Sequence, residues 1–223
     1  MIQPGHSPRE LNRLDSKNWT PTPESVEREL ARIVLDVAKR VDAFILLDQV
    51  DLPETGVVTA VVKDSVDRAL RSNPELIVLA DSRRGLVDFP PLGFKMNAAE
   101  LARMAGTPVV GIDAVKEHAA ALAAHTRQPV FVTLAEQGIV GARSGTPPEH
   151  IPAHPIRGEI DIVGAGDAVT ANLASALASG SSDREAMELA MAAASIVIHQ
   201  LGTTGTASIL ELRSKTVFSP TSD

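Results

Sequence analysis

The sequence contains no cysteine and no tyrosine, a single tryptophan and only five phenylalanines. Without cysteine there is neither a disulfide framework nor a thiolate metal site, an absence compatible with any compartment. With aromatic residues at 3% of the chain, the core has to be assembled from Ala, Val and Leu. No block of basic residues occurs and the formal net charge is −7, which argues against nucleic acid or an anionic membrane as the main partner. No apolar run is long enough to span a bilayer. The stretch from Met1 to Asn18 is polar and lacks the apolar centre of a signal peptide. A cytoplasmic location is the expectation these absences leave.

What is present points to one α/β domain. At 223 residues, 44% of them hydrophobic, the chain can bury a full core, and no internal repeat or linker divides it. Ile2 to Trp19 reads as irregular, with a short strand around Asn12-Arg13-Leu14-Asp15. Thr22, Pro23 and Glu24 form a helix-start signal ahead of a stripe at Val26, Leu30, Ile33, Val34, Val37 and Val41. Phe44 to Asp48 and Leu76 to Asp81 are continuous apolar runs ending on an acid, as buried parallel strands do. A second helix lies between them, from Thr59 to Arg71. Such alternation predicts a mostly parallel sheet covered on both faces, with ligands gathering at the carboxyl ends of the strands. Asp48 and Asp81 lie at such ends, where an acid either serves a ligand or caps the next turn.

Further helices are expected at Ala98–Ala105, stopped by Gly106, and at Asp113–His125. Val130–Leu134 and Ile139–Ala142 read as strands of a hairpin. Ser144 to His154 reads as a Pro/Gly/His-rich loop, with His150 and His154 as loop residues. Two helices close the chain, one ended by Gly180 and one opened by the capping-box pair Ser182 and Glu185. The second is broken at Leu201-Gly202-Thr203, and the tail from Lys215 to Asp223 is expected to fray.

The stretch richest in chemistry is Asp161-Ile-Val-Gly-Ala-Gly-Asp-Ala-Val169. Its glycines permit a sharp turn and close approach to an anion, and the following helix aims unpaired N–H groups at that turn. One reading is a dinucleotide fingerprint. Against it, Val169 replaces the expected small residue, Asp183 opens a helix rather than ending a strand, and too little chain follows. The other reading rests on agreement along the chain. Asp161-x-x-Gly-Ala-Gly-Asp167 resembles the second signature of the ribokinase-like (PfkB) carbohydrate kinases. Lys95-x-Asn97-x-x-Glu100 and Thr133-Leu-Ala-Glu136-Gln-Gly138 resemble further family patterns in the same order, although Ala135 replaces a common glycine. The segment from Met191 through Leu201-Gly202-Thr203 to Thr206 is similar to the family's adenine-covering C-terminus, most of all in the ADP-heptose synthase kinase branch.

The resemblance runs from about Arg13 to Leu212 and covers the later two-thirds of such a kinase. It implies a three-layer αβα ribokinase-like core without the family's N-terminal part and lid. It implies ATP-dependent phosphoryl transfer to a hydroxyl of a sugar or sugar phosphate, with release of ADP. Asp167 is then the general base, and the backbone of Gly164, Ala165 and Gly166 the anion hole. Asn97, Thr133, Glu136, Gly138, Met191 and Gly202 are implied to line the nucleotide. Glu100 is implied to approach Mg²⁺ through water, and Asp161 to lie near a monovalent cation such as K⁺, unless it only satisfies N–H groups of the turn. A non-catalytic nucleotide-binding or assembly module derived from such a kinase is the alternative. An unlidded sheet edge predicts a homodimer.

Overall fold

A computed structural model of the chain describes residues 16–215. The strand expected around Asn12 to Asp15 and the tail beyond Lys215 lie outside those residues. Six strands form one sheet in the order β1 (Ala43–Asp48), β2 (Ile77–Ser82), β3 (Gly93–Asn97), β4 (Val130–Thr133), β5 (Ile139–Ala142) and β6 (Glu149–Ile151). The first four run parallel, and β5 and β6 are antiparallel additions. On one face lie α1 (Glu24–Val37), α2 (Ala60–Ser72), α3 (Ala98–Ala105) and α4 (Ile112–Thr126). On the other lie α5 (Ala165–Ala178) and α6 (Asp183–Val197), followed by α7 (Ile209–Lys215). The three layers expected from the alternation are therefore present.

Period-two alternation divides the strand residues between two cores. Val78, Ala80, Phe94, Met96, Val130 and Val132 face α1 to α4. Leu79, Phe131, Ile139 and Ile151 face α5 and α6, against Leu173 and Met187. Phe131, Leu173 and Met187 have no solvent exposure, and each such burial contributes roughly 1.5–3 kcal/mol.

Several local expectations are corrected. α1 is capped by no side chain, because Thr22 gives its hydroxyl to the Gly56 carbonyl at 2.8 Å. Its stripe is only partly buried: Val26 and Ile33 stay 45% and 41% exposed, since α1 is the outer helix packed on α2. β3 was not foreseen, because a five-residue central strand containing Gly, Lys and Asn carries little strand propensity. The expected loop at 144–154 contains β6, so His150 lies in a strand and contacts the Gln137 carbonyl through Nε2 at 2.6 Å. Residues 152–164, which lead into α5, form no strand, and Ile162 and Val163 are 73% and 50% exposed. β1 has no partner on its outer side among the described residues, leaving an open sheet edge.

Candidate active site

α5 begins at the carboxyl end of the sheet, and its first turn decides what the site can do. Gly164, at φ +82° and ψ −9°, is its N-cap and offers no side-chain cap. The Ala165 amide donates to the Ile162 carbonyl at 3.2 Å. Of the expected anion hole, then, Ala165 is already occupied. The amides of Gly164, Gly166 and Asp167 make no hydrogen bond among the described residues. The Asp167 carboxylate is exposed at the same turn and is bonded to nothing there. Three free N–H groups, the positive end of a 14-residue helix and an available proton acceptor converge there.

Alternation selects which strand-end groups reach this corner. Asp81 and Thr133 lie two residues beyond Leu79 and Phe131, on the α5 face. Lys95, between Phe94 and Met96 of the opposite face, joins them. Its ammonium is almost buried, 2.8 Å from Asp81 Oδ2 and 3.5 Å from where a Cβ on Gly166 would sit. Lys95 is not among the site residues expected from the sequence. Its signals were its place at the head of the Lys95-x-Asn97-x-x-Glu100 pattern and a lysine inside the apolar run Phe94-Lys95-Met96. Asp48 instead points away from α5. It is 1% exposed and accepts from the Ser82 hydroxyl at 2.9 Å and from Arg84 Nη2 at 2.6 Å, pinning the β1 and β2 ends together.

Beside the start of α5 is a cavity of about 860 Å³, a size that suits a nucleotide. It brings together Asn97, Thr133, Glu136, Gly138, Met191 and the Ala165-Gly166 turn. Glu100, Asp161, Gly164, Asp167 and Gly202 are not in its wall. Asn97 Oδ1 accepts the Glu100 amide at 2.9 Å, and Glu100 Oε2 accepts the Asn97 amide at 2.8 Å, closing the capping box. Asp161 Oδ1 accepts from the Val163 amide at 3.0 Å, and Oδ2 from the Gly202 amide at 3.2 Å. Asp161 thus ties the turn before α5 to the segment after α6.

The turn after β4 forms the cavity floor. Gly138, at φ +99°, lies so close to β6 that an added Cβ would stand 2.0 Å from the Ile151 carbonyl oxygen. Ala135 holds φ +51°, a left-handed conformation that suits glycine. Ala135→Gly is therefore expected to stabilise the fold by about 1 kcal/mol. Thermal denaturation checks this, and a lowered melting temperature would contradict the strain.

Among the described residues no three His, Cys, Asp or Glu side chains cluster to hold a metal. Magnesium bound with a nucleotide needs only one or two carboxylates besides phosphates and water. Glu100 Oε1, which makes no hydrogen bond among the described residues, fits that limited demand.

Comparison with known proteins follows the same outline. The profile of the pfkB family carbohydrate kinases matches residues 92–209. The bifunctional protein HldE of a Bradyrhizobium species is 31% identical over 216 residues, which cover 94% of this chain and 42% of that protein. The chain thus spans about two fifths of the curated relatives it matches. Among solved structures, Arabidopsis thaliana ribokinase complexed with ribose and ATP superposes with a TM-score of 0.70 at 22% identity, covering 83% of this chain and 59% of that one. Escherichia coli phosphofructokinase-2 in complex with potassium gives 0.67 at 19%, covering 87% and 62%. Both are likenesses of fold.

Proposed function

The chain belongs to the pfkB family of carbohydrate kinases, and from that premise we propose that it transfers the γ-phosphoryl group of ATP to a hydroxyl of a sugar or sugar phosphate. The observation that carries the reading is the start of α5, where the unbonded Asp167 carboxylate stands beside the free amides of Gly164, Gly166 and Asp167. Asp167 accepts the proton of the attacking hydroxyl. The alcohol oxygen bonds to the γ-phosphorus, the bond from that phosphorus to the β,γ-bridging oxygen breaks, and its electron pair leaves with ADP. The free amides and the Lys95 ammonium meet the charge on the transferring oxygens. Asn97, Thr133, Glu136, Gly138 and Met191 hold the nucleotide in the cavity, and Gly202 acts through Asp161.

Magnesium, when bound, would neutralise charge on the phosphates, and Glu100 would hold it through water. Asp161 would be the residue to hold K⁺, through lone pairs left on its two oxygens beyond those taken by the Val163 and Gly202 amides. The open β1 edge supports a homodimer. No helix among the described residues is long and apolar enough to cross a membrane.

The test is calorimetric titration with ATP and Mg²⁺, followed by a screen of sugars and sugar phosphates for ADP release. Turnover supports the kinase; ATP binding without turnover supports a nucleotide-binding module; no ATP binding contradicts both. Lys95→Met is expected to weaken ATP binding about tenfold while AMP binding changes little, as a contact to the terminal phosphates requires. Equal losses for ATP and AMP would place Lys95 outside the phosphate site.

A further inference from the structure

A second, smaller depression of about 320 Å³ opens between residues 16–19 and the carboxyl ends of β1 and β2. Its wall carries Lys17, Asn18, Trp19, Gln49, Asp51 and Arg83. The segment that closes it is fastened down. Asn18 Nδ2 donates to the Thr55 carbonyl at 2.9 Å, and the Thr22 amide donates to the Glu54 carbonyl at 2.7 Å. Trp19, the only tryptophan of the chain, is 63% exposed, so its ring offers an uncovered apolar face.

The charge of this depression is settled by its own residues. Lys17 forms an ion pair with Asp51. The hydrogen bond from Lys17 and then its charge hold the Asp51 carboxyl below the usual range, with the Arg83 guanidinium acting in the same direction. Asp51 is therefore ionised at neutral pH, and two cations face one anion. Arg83 forms no side-chain hydrogen bond or ion pair among the described residues. It also leads toward the catalytic corner. Its amide donates to the Asp48 carbonyl at 3.1 Å, extending the parallel ladder beyond Ser82. Asp81, which holds Lys95 beside Gly166, is two residues back, or roughly 7 Å along an extended strand.

We propose that this depression takes the phosphate end of a monosaccharide phosphate, with Arg83 and Lys17 on the phosphate and Trp19 against the sugar ring. The inference rests on the kinase reading and names its acceptor as a phosphorylated sugar. The volume sits at the low end of ligand pockets, enough for a monosaccharide and too small for a nucleotide. A guanidinium and an ammonium in the wall of one depression suit a phosphate rather than a neutral hydroxyl.

Trp19 makes the test direct, since tryptophan emission reports this depression alone. Fructose 6-phosphate, glucose 6-phosphate and ribose 5-phosphate are titrated, with glucose and inorganic phosphate as controls. At least one sugar phosphate is expected to give a saturable change, about tenfold tighter than either control. Arg83→Gln is expected to weaken that binding about tenfold, and Asp51→Asn, which removes the competing anion, to tighten it. No saturable response to any of the three, or an unchanged affinity in Arg83→Gln, overturns the proposal. A parallel titration of the unaltered chain with fluorescent mant-ATP separates two failures. Bound mant-ATP without a sugar-phosphate response removes this pocket alone, whereas no bound mant-ATP removes the kinase reading and the inference with it.

Discussion

Asp167→Asn is expected to lower turnover about 10³-fold while ATP affinity changes less than about twofold. The substitution keeps the shape of the side chain and removes the proton acceptor. The Asp167 side chain makes no bond among the described residues, so nothing else is lost with its charge. Its own amide and that of Gly166 stay in place at the start of α5. Steady-state rates paired with calorimetry separate the two quantities. A variant that turns over at the original rate would move the general base elsewhere, and one that loses ATP binding equally would make Asp167 a binding residue.

The second large effect concerns the joint on which that turn is hung. Gly164→Ala is expected to destabilise the protein by about 3 kcal/mol, lowering the melting temperature by roughly 6–12 °C. The left-handed backbone at φ +82° supplies part of this cost. The larger part is contact, because the new Cβ would stand 2.1 Å from the Thr204 carbonyl oxygen. Backbone cannot yield as a flexible side chain does, so either the segment after α6 or the start of α5 must move. Gly158→Ala is the control, at the same φ of +82° with nothing within 4 Å of its Cβ position. Only the conformational cost of about 1 kcal/mol applies there. Equal melting temperatures for the two variants would mean that Thr204 does not press on Gly164.

Where a feature depends on neighbours in sequence, it was legible. The Asn97–Glu100 and Ser182–Glu185 capping boxes and the glycine stop at Gly106 follow from side chains three residues apart or at a helix end. The apolar runs of β1 and β2 were equally plain. The Lys95–Asp81 pair was not, since it requires knowing that β2 and β3 are neighbours although 14 positions separate the two residues. Asp48 and Asp81 look alike in sequence, each an acid closing an apolar run. Only the alternation of faces sends one into the pin with Arg84 and the other toward α5. The occupied amide of Ala165 is likewise invisible until the turn at Ile162 is built.

In the proposed mechanism the open amides at the start of α5 receive the terminal phosphate of a nucleotide. Amide ¹H–¹⁵N spectra recorded while AMP-PNP with Mg²⁺ is added, and again with AMP, read this contact at the amides themselves. The Gly164, Gly166 and Asp167 signals are expected to shift with the triphosphate analogue and stay in place with AMP, while cavity residues such as Gly138 respond to both. Unmoved signals at those three amides under saturating AMP-PNP would contradict that mechanism.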